Sequence, residues 1–168
     1  MSQPPPPRAF AEKLGGAPHS KASLRLWLRL LSCSMIIERR IRGRFEAEFA
    51  TTLPRFDVMA ALEREPDGLT MSQLSAALLV SNGNVTGIVN RLIEELLVVR
   101  TLESDDRRVA TVRLTRKGRD VFQRMARGHE KWIDKMFAGL TEQQMEQLMK
   151  LLASVRHSID EHEDEQPA

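Results

Sequence analysis

The chain has 168 residues, 42% of them hydrophobic, and a formal net charge of +2, enough to bury one good core with nothing that asks for two independent domains. One cysteine, Cys33, excludes a disulfide framework and a cysteine-rich zinc site and fits a reducing compartment. The longest apolar run falls far short of the roughly 20 residues that span a bilayer, and the start MSQPPPPRAF lacks a leader-like apolar stretch, so the expectation is a cytoplasmic protein with no membrane partner.

Residues 1–20 hold the run Pro4 to Pro7 with Gly15, Gly16 and Pro18, a composition that favours extended backbone and buries no face, and they read as a flexible N-terminal arm. Residues 21–52 read as one long helix with two apolar stripes. Leu24, Leu28, Leu31 and Met35 form one, and Leu26, Leu30, Cys33, Ile37 and Ile41 form the other. Two stripes imply two packing partners. Pro54 then suits the first turn of a helix that carries Phe56, Met59, Ala60 and Leu62 toward a core, and Asp67-Gly68 ends it in a turn.

Residues 53–114 carry the densest signal. In TMSQLSAALLVSNGNVTGIVNRL the apolar positions Leu74, Leu78, Val80, Val85, Ile88, Val89 and Leu92 trace two short amphipathic helices that meet at a tight corner. Thr70 with Gln73 forms a capping box for the first helix, and Ser81 stands where the second needs a side-chain oxygen on its free N–H groups. After Leu96 the pattern changes to period two. VVRTLE and VATVRLT read as two strands joined by the charged hairpin SDDRR. This is a winged helix-turn-helix, so the fold class is mainly α with a small β-hairpin wing.

Residues 115–161 read as two helices, one from Thr115 to about Gly139 and one opened by a second capping box, Thr141 with Gln144; residues 162–168 form a tail. Val121, Met125, Trp132, Ile133, Met136, Phe137, Leu140, Met145, Leu148, Leu151, Leu152, Val155 and Ile159 offer more apolar surface than two helices alone can cover. The excess predicts an interleaved homodimer built from the terminal helices.

The element order, Asp106-Arg107-Arg108 separated by five residues from Leu114-Thr115, the following Lys117-Gly118 and the segment SNGNVTGIVNRL together resemble the multiple antibiotic resistance regulator (MarR) family over roughly residues 21–160. The resemblance implies a homodimeric, ligand-responsive repressor. One departure stands out: the family usually places Gly between the second helix and the wing, where this chain has Leu96, and a left-handed Leu costs about 1 kcal/mol or more relative to Gly, so an altered turn is expected there. RLWLRLL followed by TTLPRFDVMAALE also looks like a subgroup that controls aromatic-acid catabolism, some of whose members sense aromatic acyl-CoA thioesters.

Ser81, Asn82, Asn84, Thr86 and Asn90 of the second helix are the candidates for a DNA major groove, because short amides and hydroxyls reach phosphates and base edges. Capping alone is the competing reading of Ser81 and Asn82. Arg107 and Arg108 at the wing tip suit a narrow, negative minor groove, with Asp106 as a brace, although any hairpin tip tends to be charged. By resemblance, Arg108 is the stronger of the two. Thr70, Ser72, Gln73 and Lys117 are further candidates for phosphate contact. The implied partner is a pseudo-palindromic double-stranded operator read by two copies of the chain, about one helical turn (~34 Å) apart.

For an effector, the resemblance implies a pocket where the first, second and post-wing helices converge. Arg25, Trp27, Arg29, Leu31, Met35, Arg55, Phe56 and Met59 are the local candidates, since an aromatic acid or its CoA thioester needs an apolar slot and a guanidinium. Taken singly, Trp27 and Phe56 read more readily as core residues, and Arg39, Arg40, Arg42 and Arg44 are available to CoA phosphates. Cys33, on an apolar stripe, reads as a small buried hydrophobe, with a thiol-switched repressor as the alternative. His157 and His162 lack the i, i+4 spacing of helical metal ligands, and His129 beside Trp132 reads as packing. No nucleophile, base and orienting group come together, so neither enzymatic activity nor a cofactor is expected. A helical protein–protein adaptor that reads no DNA is the rival from another class.

Overall fold

A computed structural model describes residues 18–78, 82–102 and 110–163. The elements run α1 (Pro18–Phe49), α2 (Leu53–Arg64), β1 (Leu69–Thr70), α3 (Met71–Leu78), α4 (Asn82–Glu94), β2 (Val98–Leu102), β3 (Ala110–Leu114), α5 (Arg116–Phe137) and α6 (Glu142–Glu163). The chain divides after Met125 into two compact units.

In the first unit, α2 starts with Pro54 in its first turn, where the ring's missing N–H has no helical partner to lose. It buries Phe56, Val58, Met59 and Leu62. Val58 was not among the expected core positions, while Ala60, which was, is half-buried. Leu74 of α3 and Val85, Val89 and Leu92 of α4 are fully buried and complete the core with Val112 of the sheet. Phe45 of α1 is also fully buried, with its ring centroid 4.7 Å from that of Phe56. Phe56 in turn stacks on Phe122 of α5 at 5.4 Å. Offset aromatic contacts of this kind add about 0.5–1.5 kcal/mol beyond the area they bury, and here they bind the end of α1 and the start of α5 to α2.

The sheet has three strands in the order β1-β3-β2, all antiparallel, where the sequence predicted two. The additional strand is two residues long, pairing Leu69 with Val112 and Thr70 with Thr111. It is entered by a turn in which the Gly68 N–H donates to the Glu65 carbonyl at 2.9 Å, with Gly68 at a φ of 100°. Thr101 and Thr111 face each other across β2 and β3, hydroxyl to hydroxyl at 3.0 Å.

Only the C-terminal end of α1 is buried, through Ile41 and Phe45. Further toward its N-terminus Leu26, Trp27, Leu31, Met35 and Ile36 are exposed. Cys33 is exposed as well, against the expectation of a buried thiol. In the second unit, Trp132 is buried with the His129 ring edge-on to it at 6.5 Å, as expected of packing. Leu148, Met149, Leu151, Leu152 and Ile159 of α6 face outward. Both capping boxes form: the Thr70 N–H donates to Gln73 Oε1 and the Gln73 N–H to Thr70 Oγ1, and Thr141 and Gln144 repeat the pair. Among the described residues, no helix is long and apolar enough to cross a membrane.

Candidate DNA interface and effector cavity

Because Val85, Val89 and Leu92 hold one face of α4 in the core, the opposite face is left to solvent. Gly83, Asn84, Thr86, Gly87, Asn90 and Arg91 are all exposed there. Gly83 and Gly87 lie along the middle of that face, and a Cβ added at either would meet nothing within 4 Å. The helix therefore offers bare backbone flanked by amides, a hydroxyl and a guanidinium. Asn84, Thr86 and Asn90 are thus gathered on one face, as the sequence predicted. Asn82 opens α4, while Ser81, Asp106, Arg107 and Arg108 lie outside the described residues. Ser72 and Gln73 are exposed on α3, but the Gln73 carbonyl is engaged in its capping box.

The C-terminal end of α4 is closed without glycine. Leu96 adopts a φ of 63°, its N–H donates to the Ile93 carbonyl, and the Leu97 N–H donates to the Leu92 carbonyl, both at 2.9 Å. This is a Schellman closure with buried Leu92 and Leu97 at its two ends. The turn is therefore preserved, with Leu in the left-handed conformation, and the expectation of an altered turn is corrected.

The helix after the wing is anchored on this closure. The Thr115 hydroxyl accepts from the Gly118 N–H at 2.9 Å, capping α5, and donates to the Leu96 carbonyl at 2.7 Å. The Thr115 N–H donates to the Leu97 carbonyl at 3.0 Å. Lys117 Nζ donates to the Glu95 carbonyl at 2.9 Å, a cation at the C-terminal end of α4.

Beside this junction lies a cavity of about 220 Å³ lined by Phe49, Ala50, Thr51, Arg55, Met59, Glu95, Leu97, Val121, Arg124 and Met125. Of the predicted effector residues, it brings together Arg55 and Met59. Phe56 is buried in the aromatic stack, while Arg25, Trp27, Arg29, Leu31 and Met35 are exposed on α1 and do not line it. Arg42 and Arg44, offered for phosphate, pair with Glu38 and Glu48 along the same helix at 2.6 and 2.8 Å. Such exposed i, i+4 pairs are weak and leave the guanidiniums open to exchange.

Both terminal nitrogens of Arg55 donate to Glu95, Nη1 to Oε1 at 2.7 Å and Nη2 to Oε2. This fork holds the Glu95 carboxyl below its usual pKa, chiefly through the hydrogen bonds from Arg55 and against a smaller opposing effect of burial. Arg55 Nε is buried and has no hydrogen-bond partner among the described residues. Neither Glu95 nor Arg124 stood among the sequence candidates. Glu95 is forty residues from Arg55, and periodicity carries no information about pairing at that range.

A sequence profile described as MarR family matches residues 51–109. The chain is 30% identical to a MarR family transcriptional regulator of known structure from Silicibacter pomeroyi, covering 86% of this chain and 99% of that one with a TM-score of 0.73. It is 28% identical to the HTH-type transcriptional repressor IacR of Pseudomonas putida, over 72% of this chain and 76% of that protein. It is 32% identical to the transcriptional activatory protein BadR of Rhodopseudomonas palustris, over 61% of this chain and 59% of that protein. The winged core, the exposed face of α4 and these likenesses together place the chain in the MarR family of transcriptional regulators, with a DNA-binding fold.

Proposed function

We propose that this chain is a cytoplasmic, homodimeric repressor that binds a pseudo-palindromic operator and releases it when a small aromatic acid occupies the cavity beside Arg55. The observation that carries the reading is the continuity between the two sites. Glu95, which forms part of the cavity wall, immediately follows the last residue of α4, whose exposed face carries Asn84, Thr86 and Asn90, the groups proposed here to read DNA. A ligand that prefers one position of α4 thereby changes DNA affinity through differential affinity alone.

Pairing is supported by the exposed apolar residues of α1 and α6, which the chain itself does not cover. A cavity of about 220 Å³ is smaller than the range usual for drug-sized ligands and suits a single-ring acid better than a whole CoA thioester. The similar proteins include one named a repressor and one named an activatory protein, so the sign of regulation rests on the release mechanism.

Fluorescence anisotropy with a duplex from upstream of the chain's own coding sequence, at two salt concentrations and with or without benzoate, tests the reading. Specific binding with a negative salt slope that benzoate weakens supports it; binding no tighter than to random DNA rejects it. Thiol-switched release through Cys33 is the second reading offered by the sequence, and peroxide titration of Cys33→Ser against the parent chain discriminates the two.

A further inference from the structure

We infer that Thr115 and Lys117, at the start of α5, are positioning residues for DNA binding: they clamp the turn that closes α4 and so fix where its exposed face stands. The inference rests on the reading of that face as the one that meets a duplex, and it assigns the groups that aim it.

Burial of Val85, Val89 and Leu92 holds α4 against the core, but apolar burial is non-directional and leaves the tilt of a helix to directional bonds. The ladder between β2 and β3 ends where Val98 pairs with Leu114. One residue further, the Thr115 N–H still reaches the Leu97 carbonyl at 3.0 Å. Leu96, left-handed and outside the ladder, has its carbonyl held by the Thr115 hydroxyl at 2.7 Å. That hydroxyl has a single proton. It accepts from the Gly118 N–H at 2.9 Å, which leaves the proton for Leu96, while the Leu97 carbonyl, 3.3 Å from the hydroxyl, is served by the backbone. Lys117 Nζ adds a bond to the preceding carbonyl, that of Glu95, at 2.9 Å. The successive carbonyls of Glu95, Leu96 and Leu97 are therefore each held by Thr115 or Lys117.

Leverage gives the clamp its consequence. Asn84 precedes Leu96 by twelve residues, about 18 Å along a helix. A tilt of about 10° at the turn moves it by about 3 Å, several times the ~0.5 Å within which a binding constellation has to be held. The Arg55 fork secures the Glu95 carboxylate from α2, so variants of Thr115 and Lys117 leave that tie in place.

Anisotropy on the full chain, comparing a duplex from upstream of its own coding sequence with a random duplex at matched salt, tests the clamp. Thr115→Val keeps the shape and loses the hydroxyl. Measured well below its melting temperature, its preference for the upstream duplex should fall about tenfold, while binding to random DNA and its salt slope stay unchanged. Thr115→Ser, which keeps the hydroxyl, should restore the preference to within about twofold of the parent chain. A hydroxyl that served stability alone would lower the melting temperature and leave the preference intact; that result overturns the inference, as does a Ser variant as poor as Val. Should Thr115→Val fail to fold, Lys117→Met, a change at an exposed side chain, must still lower the preference about threefold at an unchanged salt slope. An unchanged preference is equally fatal, and so is a slope smaller by about one, the mark of a direct phosphate contact. Failure of the parent reading is separately visible, because the unsubstituted chain would then show no preference between the two duplexes, which overturns both.

Discussion

Gly118 of α5 lies so close to Leu97 that a Cβ built on it would stand 1.9 Å from the Leu97 carbonyl oxygen and 2.8 Å from its carbon. Those atoms are backbone, held by the Thr115 N–H, and cannot swing aside. Helix α5 therefore sits on the turn after α4 at a distance that only glycine permits.

Gly118→Ala is accordingly expected to destabilise the fold by about 3 kcal/mol, at the upper end of what overpacking costs, because α5 must lift from the turn. Urea denaturation at fixed protomer concentration measures it. A loss below about 0.5 kcal/mol would mean that the helix shifts freely.

Leu96→Gly should act in the opposite direction. Leu96 holds a φ of 63° and is 67% exposed as a residue, so substitution relieves left-handed strain and forfeits little burial. A gain of about 1 kcal/mol is expected in the same assay. Destabilisation would show that the Leu96 side chain has a packing role, for instance against a second copy.

The pattern of what the sequence disclosed follows from how local each signal is. Thr70 with Gln73 and Thr141 with Gln144 were legible because a capping box is complete within four residues. Leu96 stood out only through the resemblance, since the family usually places Gly at that turn. Strand β1 was not legible, since two residues cannot establish a period, and its partner Val112 lies more than forty positions away. The same distance hid the partnership of Arg55 with Glu95 and the stack of Phe56 on Phe122. Arg55 and Met59 both line the cavity because α2 is short and its faces are few, whereas the long α1 carries Arg25, Trp27, Arg29, Leu31 and Met35 away from it.

Asp57 yields a pH prediction. Its carboxyl is half-buried, and burial raises its pKa, with Glu38 adding to the rise and Arg42 opposing it. A carboxyl whose folded pKa exceeds its unfolded value, about 3.9, favours the folded state while protonated and loses that advantage as pH rises through the folded value. Asp57→Asn should therefore raise the melting temperature at pH 7, and the gain should shrink as pH falls toward about 4. A gain that grows on acidification would contradict the assignment.

Gly83 and Gly87 separate stability from function. Each faces open space, so Ala at both should stabilise α4 by up to about 1 kcal/mol per site. If the bare backbone between Asn84, Thr86 and Asn90 is what approaches the duplex, the same double variant should bind operator about tenfold or more weakly despite melting higher. Unchanged affinity would move the contact off the centre of that face.

The central claim is that two chains, joined through the outward apolar faces of α1 and α6, present their α4 helices together to one duplex. Sedimentation of the chain with a labelled duplex from upstream of its own coding sequence measures this directly. The account predicts a dimer in the absence of DNA and two chains on each duplex, retained against random competitor. A solitary protomer that shows no preference for that duplex would contradict it.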